Sequence, residues 1–107
     1  MSLNPLPPGT QGHRRHLHTR RDAWAITFEY EGGHQYRAAF GYFPDGTLAE
    51  IFLDAIGKSA GSTIQQHCTT SAILVSLLLQ HGVSVATIKH SISGPIALAL
   101  DLAEQAR

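Results

Sequence analysis

Apolar and polar side chains alternate from Trp24 onward. Trp24, Ile26, Phe28 and Tyr30 share one face, and Ala25, Thr27, Glu29 and Glu31 the other. That period of two predicts a β-strand. Gly32-Gly33 predicts a hairpin turn, since paired glycines accept the positive φ such turns need. Tyr36, Ala38, Phe40 and Tyr42 continue the alternation as a second strand, and Pro44-Asp45-Gly46 reads as the next turn. Leu48 to Ala55 is the third strand, with bulk on both faces: Ile51 and Leu53 on one, Leu48 and Phe52 on the other. Glu50 and Asp54 share the Leu48/Phe52 face, so Phe52 is an apolar residue on a charged outer surface and an interface candidate.

The pattern then changes. From Ser59 to Ile88 the chain holds no Asp, Glu, Lys or Arg, and Ala72-Ile73-Leu74-Val75-Ser76-Leu77-Leu78-Leu79 lies within that run. This reads as a long helix apolar on nearly every side, which requires cover on more than one face: its own sheet and a second subunit. Ser59 or Ser62 is the expected N-cap, and the helix is expected to run to about His81 and stop at Gly82. Ser84 then caps a short helix through Ile92. Gly94-Pro95 breaks that helix, and Pro95 starts a last one ending near Arg107. The fold class is therefore α+β: a three-stranded antiparallel β-meander, then a long buried helix and two shorter helices packed on one sheet face.

Composition sharpens this in two ways. The chain has 107 residues, of which 43% are hydrophobic and only 15% charged, a combination suited to one core plus surface hidden in an interface. A homo-oligomer is expected. The formal net charge is zero but unevenly placed. Residues 1–21 hold Arg14, Arg15, Arg20 and Arg21 with no acid, whereas residues 22–107 hold four basic and eight acidic side chains. The division is thus a flexible basic, His/Arg-rich arm over 1–21 and a single domain over 22–107. The apolar run is too short and too interrupted for a membrane span, and no signal-peptide pattern is visible. With Cys68 as the one cysteine, no internal disulfide is available, and a cytoplasmic setting is expected.

Tyr42-Phe43-Pro44-Asp45-Gly46-Thr47-Leu48-Ala49-Glu50-Ile51-Phe52-Leu53 leads through Gly57-Lys58-Ser59-Ala60-Gly61-Ser62-Thr63 into a helix that closes with Ser76-Leu77-Leu78-Leu79-Gln80-His81-Gly82-Val83. This succession resembles the TSCPD domain, the C-terminal accessory domain of adenosylcobalamin-dependent ribonucleotide reductases. There a "DG-x-x-x-EIF" strand meets a "K-x-GS-T" corner, and a long helix ends in "SLAL-x-x-GV". The likeness covers roughly residues 10–93 and is strongest from Tyr42 to Val83. The Thr-Ser-Cys-Pro-Asp string of the family name is absent, as are the reductase barrel and any pair of thiols to supply electrons. The resemblance implies a free-standing, non-catalytic accessory or interaction module, without a cofactor of its own. It implies as partner a ribonucleotide reductase or another protein of nucleotide metabolism.

Lys58, Ser59, Gly61, Ser62 and Thr63 form a strand-to-helix corner where backbone N–H groups could hold an anion or nucleotide. A Walker loop is excluded, because Phe52 stands where its first glycine belongs. His13, His16 and His18 are weak metal candidates, since the neighbouring arginines would repel a cation. The arginines at 14, 15, 20 and 21 could neutralise phosphates, which makes nucleic-acid binding the alternative function. Cys68 has core spacing on the helix, and its neighbour His67 points about 100° away, which argues against a catalytic pair. His67 and His81 are read as polar positions at a subunit boundary. No catalytic residues are expected.

Overall fold

The computed structural model describes residues 24–105. Strands β1 (Trp24–Tyr30), β2 (His34–Tyr42) and β3 (Leu48–Ala55) precede helices α1 (Thr63–Gln80), α2 (Val85–Ser91) and α3 (Pro95–Gln105). The sheet is antiparallel in the order β1-β2-β3. The expected meander followed by three helices is the architecture found.

The first hairpin differs in detail. Tyr30 pairs with His34, so the loop has three residues, with Glu31 at φ 25° and Gly32 and Gly33 at 67° and 79°. The glycines take the left-handed backbone as expected, but the turn starts one residue earlier. At the second turn, Asp45 Oδ1 accepts from the Thr47 amide at 3.0 Å and from its hydroxyl at 2.6 Å. This local bond fixes the reversal.

Strict alternation fails at one point in β3. Gly41 pairs with Glu50, but Tyr42 pairs with Leu48, so Ala49 is the extra residue of a β-bulge. The bulge turns Leu48 onto the face of Tyr42, where both are buried. The sequence period had placed Leu48 with Phe52 on the outer face, and the inserted residue corrects that placement. Phe52 stays outside, 45% exposed.

The core joins one sheet face to the helices. Tyr36, Ala38, Phe40, Tyr42, Ile51, Leu53 and Ala55 meet Cys68, Ala72, Val75 and Leu79 of α1, Ile88 of α2, and Ile96, Ala99, Leu100 and Ala103 of α3. Tyr36 stacks on Phe28 (centroids 5.7 Å apart, planes at 22°) and meets Tyr30 edge-on. The Tyr42 hydroxyl donates to the Ala103 carbonyl at 2.9 Å, tying β2 to the end of α3. Lys89 of α2 ion-pairs with Asp101 and Glu104 of α3. These carboxylates raise its pKa, the Asp101 hydrogen bond contributing most.

Candidate functional site

Helix α1 starts where a cap is available. Ser62 is the N-cap: its hydroxyl accepts from the Gln65 amide at 3.2 Å and donates to the Ser59 carbonyl at 2.9 Å. The helix ends in paired bonds, with Gly82 N–H to Leu79 O and Val83 N–H to Leu78 O, both 3.0 Å. Gly82 sits at φ 91°, as a left-handed C-terminal residue does.

Four stripes run along this helix. Cys68, Ala72, Val75 and Leu79 face the core. Gln65, Ser76 and Gln80 lie on the adjacent stripe and bind the open edge of β3. The Ser76 hydroxyl accepts from the Ile51 amide at 2.9 Å and donates to the Ile51 carbonyl at 3.1 Å. Gln65 Oε1 accepts from the Ala55 amide at 2.8 Å, and its Nε2 donates to Asp54. Gln80, buried to 6%, donates from Nε2 to the Ala49 carbonyl at 2.9 Å. Helix α1 therefore runs antiparallel to β3 and replaces the fourth strand as hydrogen-bonding partner, which blunts an edge that would otherwise be a docking template. Three of its uncharged polar residues, Gln65, Ser76 and Gln80, are spent on the backbone of its own sheet.

The remaining stripes face outward and mix exposed Gln66, His67, Thr69 and Thr70 with apolar residues. Ile73 and Leu74 are each 55% exposed, and Leu77 and Leu78 are half-buried. The expectation of cover on more than one face is met within one chain by the core and the sheet edge, and Ile73 and Leu74 stay outside both. Beside this ridge, on the outer face of the sheet, lies a cleft of about 530 Å³ lined by Arg37, Ala39, Glu50, Phe52, Asp54, Ile73, Ser76 and Leu77 among others. Its walls are apolar at Phe52, Ala39, Ile73 and Leu77. Its charges are Arg37 and Asp54, register partners on β2 and β3, together with Glu50. Phe52, an interface candidate from sequence, belongs to this cleft.

A second cleft, of about 440 Å³, lies on the other flank of the ridge between α1 and the start of α3, and contains His67, Cys68, Leu74 and Tyr36. Burial, then Asp54, raises the Cys68 thiol pKa, and burial, then Cys68, raises that of Tyr36. A protonated buried thiol is a poor nucleophile. A third, of about 580 Å³, runs from Tyr42 and Thr47 past His81 to Glu104. His81 Nδ1 is 2.9 Å from the Leu77 carbonyl. His67 and His81 thus stand near opposite ends of α1, in different clefts, rather than together.

The anion-binding candidates lie at the exposed corner. Lys58, Ser59, Gly61 and Thr63 are exposed, and Ser62 is half-buried. The Ser62 cap satisfies the Gln65 amide, so one donor an anion would use is already engaged. Arg14, Arg15, Arg20 and Arg21, with His13, His16 and His18, lie outside the described residues. Among the described residues no group of three His, Cys, Asp or Glu could hold a metal ion, and no helix is long and apolar enough to cross a membrane.

Reading the sequence missed the assignment of stripes. Ile73, Leu77, Ala39 and Arg37 were not singled out, and neither was the edge-binding set Gln65, Ser76 and Gln80. A signal was present, since these three polar residues are the inward ones of the charge-free run at spacings of eleven and four, which share one helix side. No family model, curated protein or solved structure matches the chain.

Proposed function

We propose that this chain is a non-catalytic accessory or interaction module that acts as a homo-oligomer in nucleotide metabolism, similar to the TSCPD domain of adenosylcobalamin-dependent ribonucleotide reductases. One observation carries the interaction reading: α1 leaves Ile73 and Leu74 more than half exposed on a helix with no charged residue. Apolar ridges of this kind bordered by a cleft are interaction surfaces more often than they are bare surface. The absence of a thiol pair supports a role beside an enzyme rather than as a reductase. Nucleotide metabolism rests on the resemblance from Tyr42 to Val83.

Co-purification with a purified adenosylcobalamin-dependent reductase, read by size exclusion and by reductase activity with and without the chain, tests this reading. A stoichiometric complex or altered turnover supports it. Turnover of a nucleotide by the chain alone, or no complex with an unaltered reductase rate, refutes the accessory role. Thermal stabilisation by nucleotide lost in Lys58→Ala would instead favour a ligand site at the corner.

A further inference from the structure

We infer that the occupant of the α1 ridge and its neighbouring cleft is a second copy of this chain, joined through an antiparallel α1–α1 contact about a two-fold axis. This rests on the homo-oligomeric part of the proposed function and names its interface. Ile73 and Leu77, one turn apart, border the Phe52 cleft while Leu74 borders the cleft on the other flank, so a two-fold axis places each copy's Ile73 in the other's cleft, against Phe52 and Leu77.

Charge supports this occupant. Helix α1 carries no Asp, Glu, Lys or Arg from Thr63 to Gln80, so it meets its own copy without like-charge repulsion. The cleft holds Arg37 beside Asp54 and Glu50, both signs in one patch. A two-fold contact brings Arg37 of each copy towards the carboxylates of the other, an isologous arrangement.

Area supports it too. An 18-residue helix is about 27 Å long. With a helix diameter of about 10 Å and about 10 Å for the β2 and β3 faces that line the cleft, the surface is on the order of 540 Å² per copy. A standard interface buries about 800 Å² per partner, so this surface suits a dimer at the small end of the range.

The test uses the full chain. Light scattering across a dilution series gives the mass, and it is repeated on Ile73→Glu, on Ile73→Cys mixed with Phe52→Cys, and on a chain lacking residues 1–21. Circular dichroism confirms that each variant is folded. The inference expects a dimer in the full and shortened chains. Ile73→Glu should weaken it by at least about 30-fold, the effect of truncating or charging an interface anchor. A mixture of Ile73→Cys and Phe52→Cys chains should give the mixed disulfide-linked dimer on oxidation, while Cys68, 4% exposed, does not react. A dimer unchanged by Ile73→Glu overturns this interface but leaves self-association standing elsewhere. A dimer lost only on removing residues 1–21 assigns it to the arm and overturns the inference. A monomer throughout overturns both the interface and the homo-oligomeric part of the proposed function.

Discussion

Replacing Ser76 by Ala isolates the bond that joins α1 to the open edge of the sheet. The hydroxyl serves both Ile51 backbone groups, accepting at 2.9 Å and donating at 3.1 Å. Losing it strands an amide and a carbonyl at a half-buried position. Each stranded group costs about 1–3 kcal/mol when fully buried. Ser76 borders the cleft, so water partly relieves both, and about 2 kcal/mol for the pair is the working figure. For a domain of this size that corresponds to a fall in Tm of about 10 °C. Urea titration at neutral pH, followed by circular dichroism, reads the change as a shifted midpoint with an unchanged slope. Thr70→Ala, at an exposed position on the same helix, is the control and should stay within about 0.5 kcal/mol. A Ser76→Ala midpoint indistinguishable from that control would refute the claim that α1 acts as the hydrogen-bonding partner of β3.

Three further outcomes follow from named contacts. Tyr42→Phe removes the 2.9 Å bond to Ala103 O and should cost about 1 kcal/mol, read as a lower urea midpoint. Gly82→Ala forces a Cβ onto a backbone at φ 91° and should cost about 1–2 kcal/mol, although nothing lies within 4 Å of that Cβ; an unchanged Tm would show that the α1 terminus relaxes freely. Burial raises the Cys68 pKa, so the native state holds the thiol proton longer than the unfolded chain. The associated stability is fully present below the unfolded thiol value of about 8.5 and is lost as pH rises through the folded value. Urea midpoints should therefore fall as pH rises above about 8.5, and fall less in Cys68→Ala; parallel curves would contradict this.

The strands and helices were legible because each has a clean period and a punctuating residue. Gly32-Gly33, Asp45-Gly46, Ser62, Gly82, Ser84 and Pro95 all stand at element ends. Leu48 was not, because the bulge at Ala49 is set by the partner strand and leaves no local mark on an alternating pattern. The surface of α1 was only half legible. The charge-free run announced that the helix needed cover, but which residues faced the sheet edge depended on where α1 crosses β3. That is a tertiary fact. Gln65, Ser76 and Gln80 look like ordinary surface polar residues until the strand backbone opposite them is in place.

The β3 edge of the sheet shows why the inner stripes of α1 carry no charge. At β3, a backbone amide and carbonyl must be met by groups that both donate and accept at close range, and Ser and Gln do so without the desolvation cost of an ion. A Lys or Glu at 65, 76 or 80 would match only half of these groups and would bury a charge. That accounts for the inner stripes of the helix but not for Ile73 and Leu74. At their exposed positions a charged residue would cost little in the isolated chain and would add solubility. Edge satisfaction therefore explains the uncharged polar residues, and the apolar pair requires a separate cause. Cover by the proposed second copy would supply it, and Ile73→Glu separates the two causes: it should leave the stability of the monomer within about 0.5 kcal/mol while weakening association by at least about 30-fold.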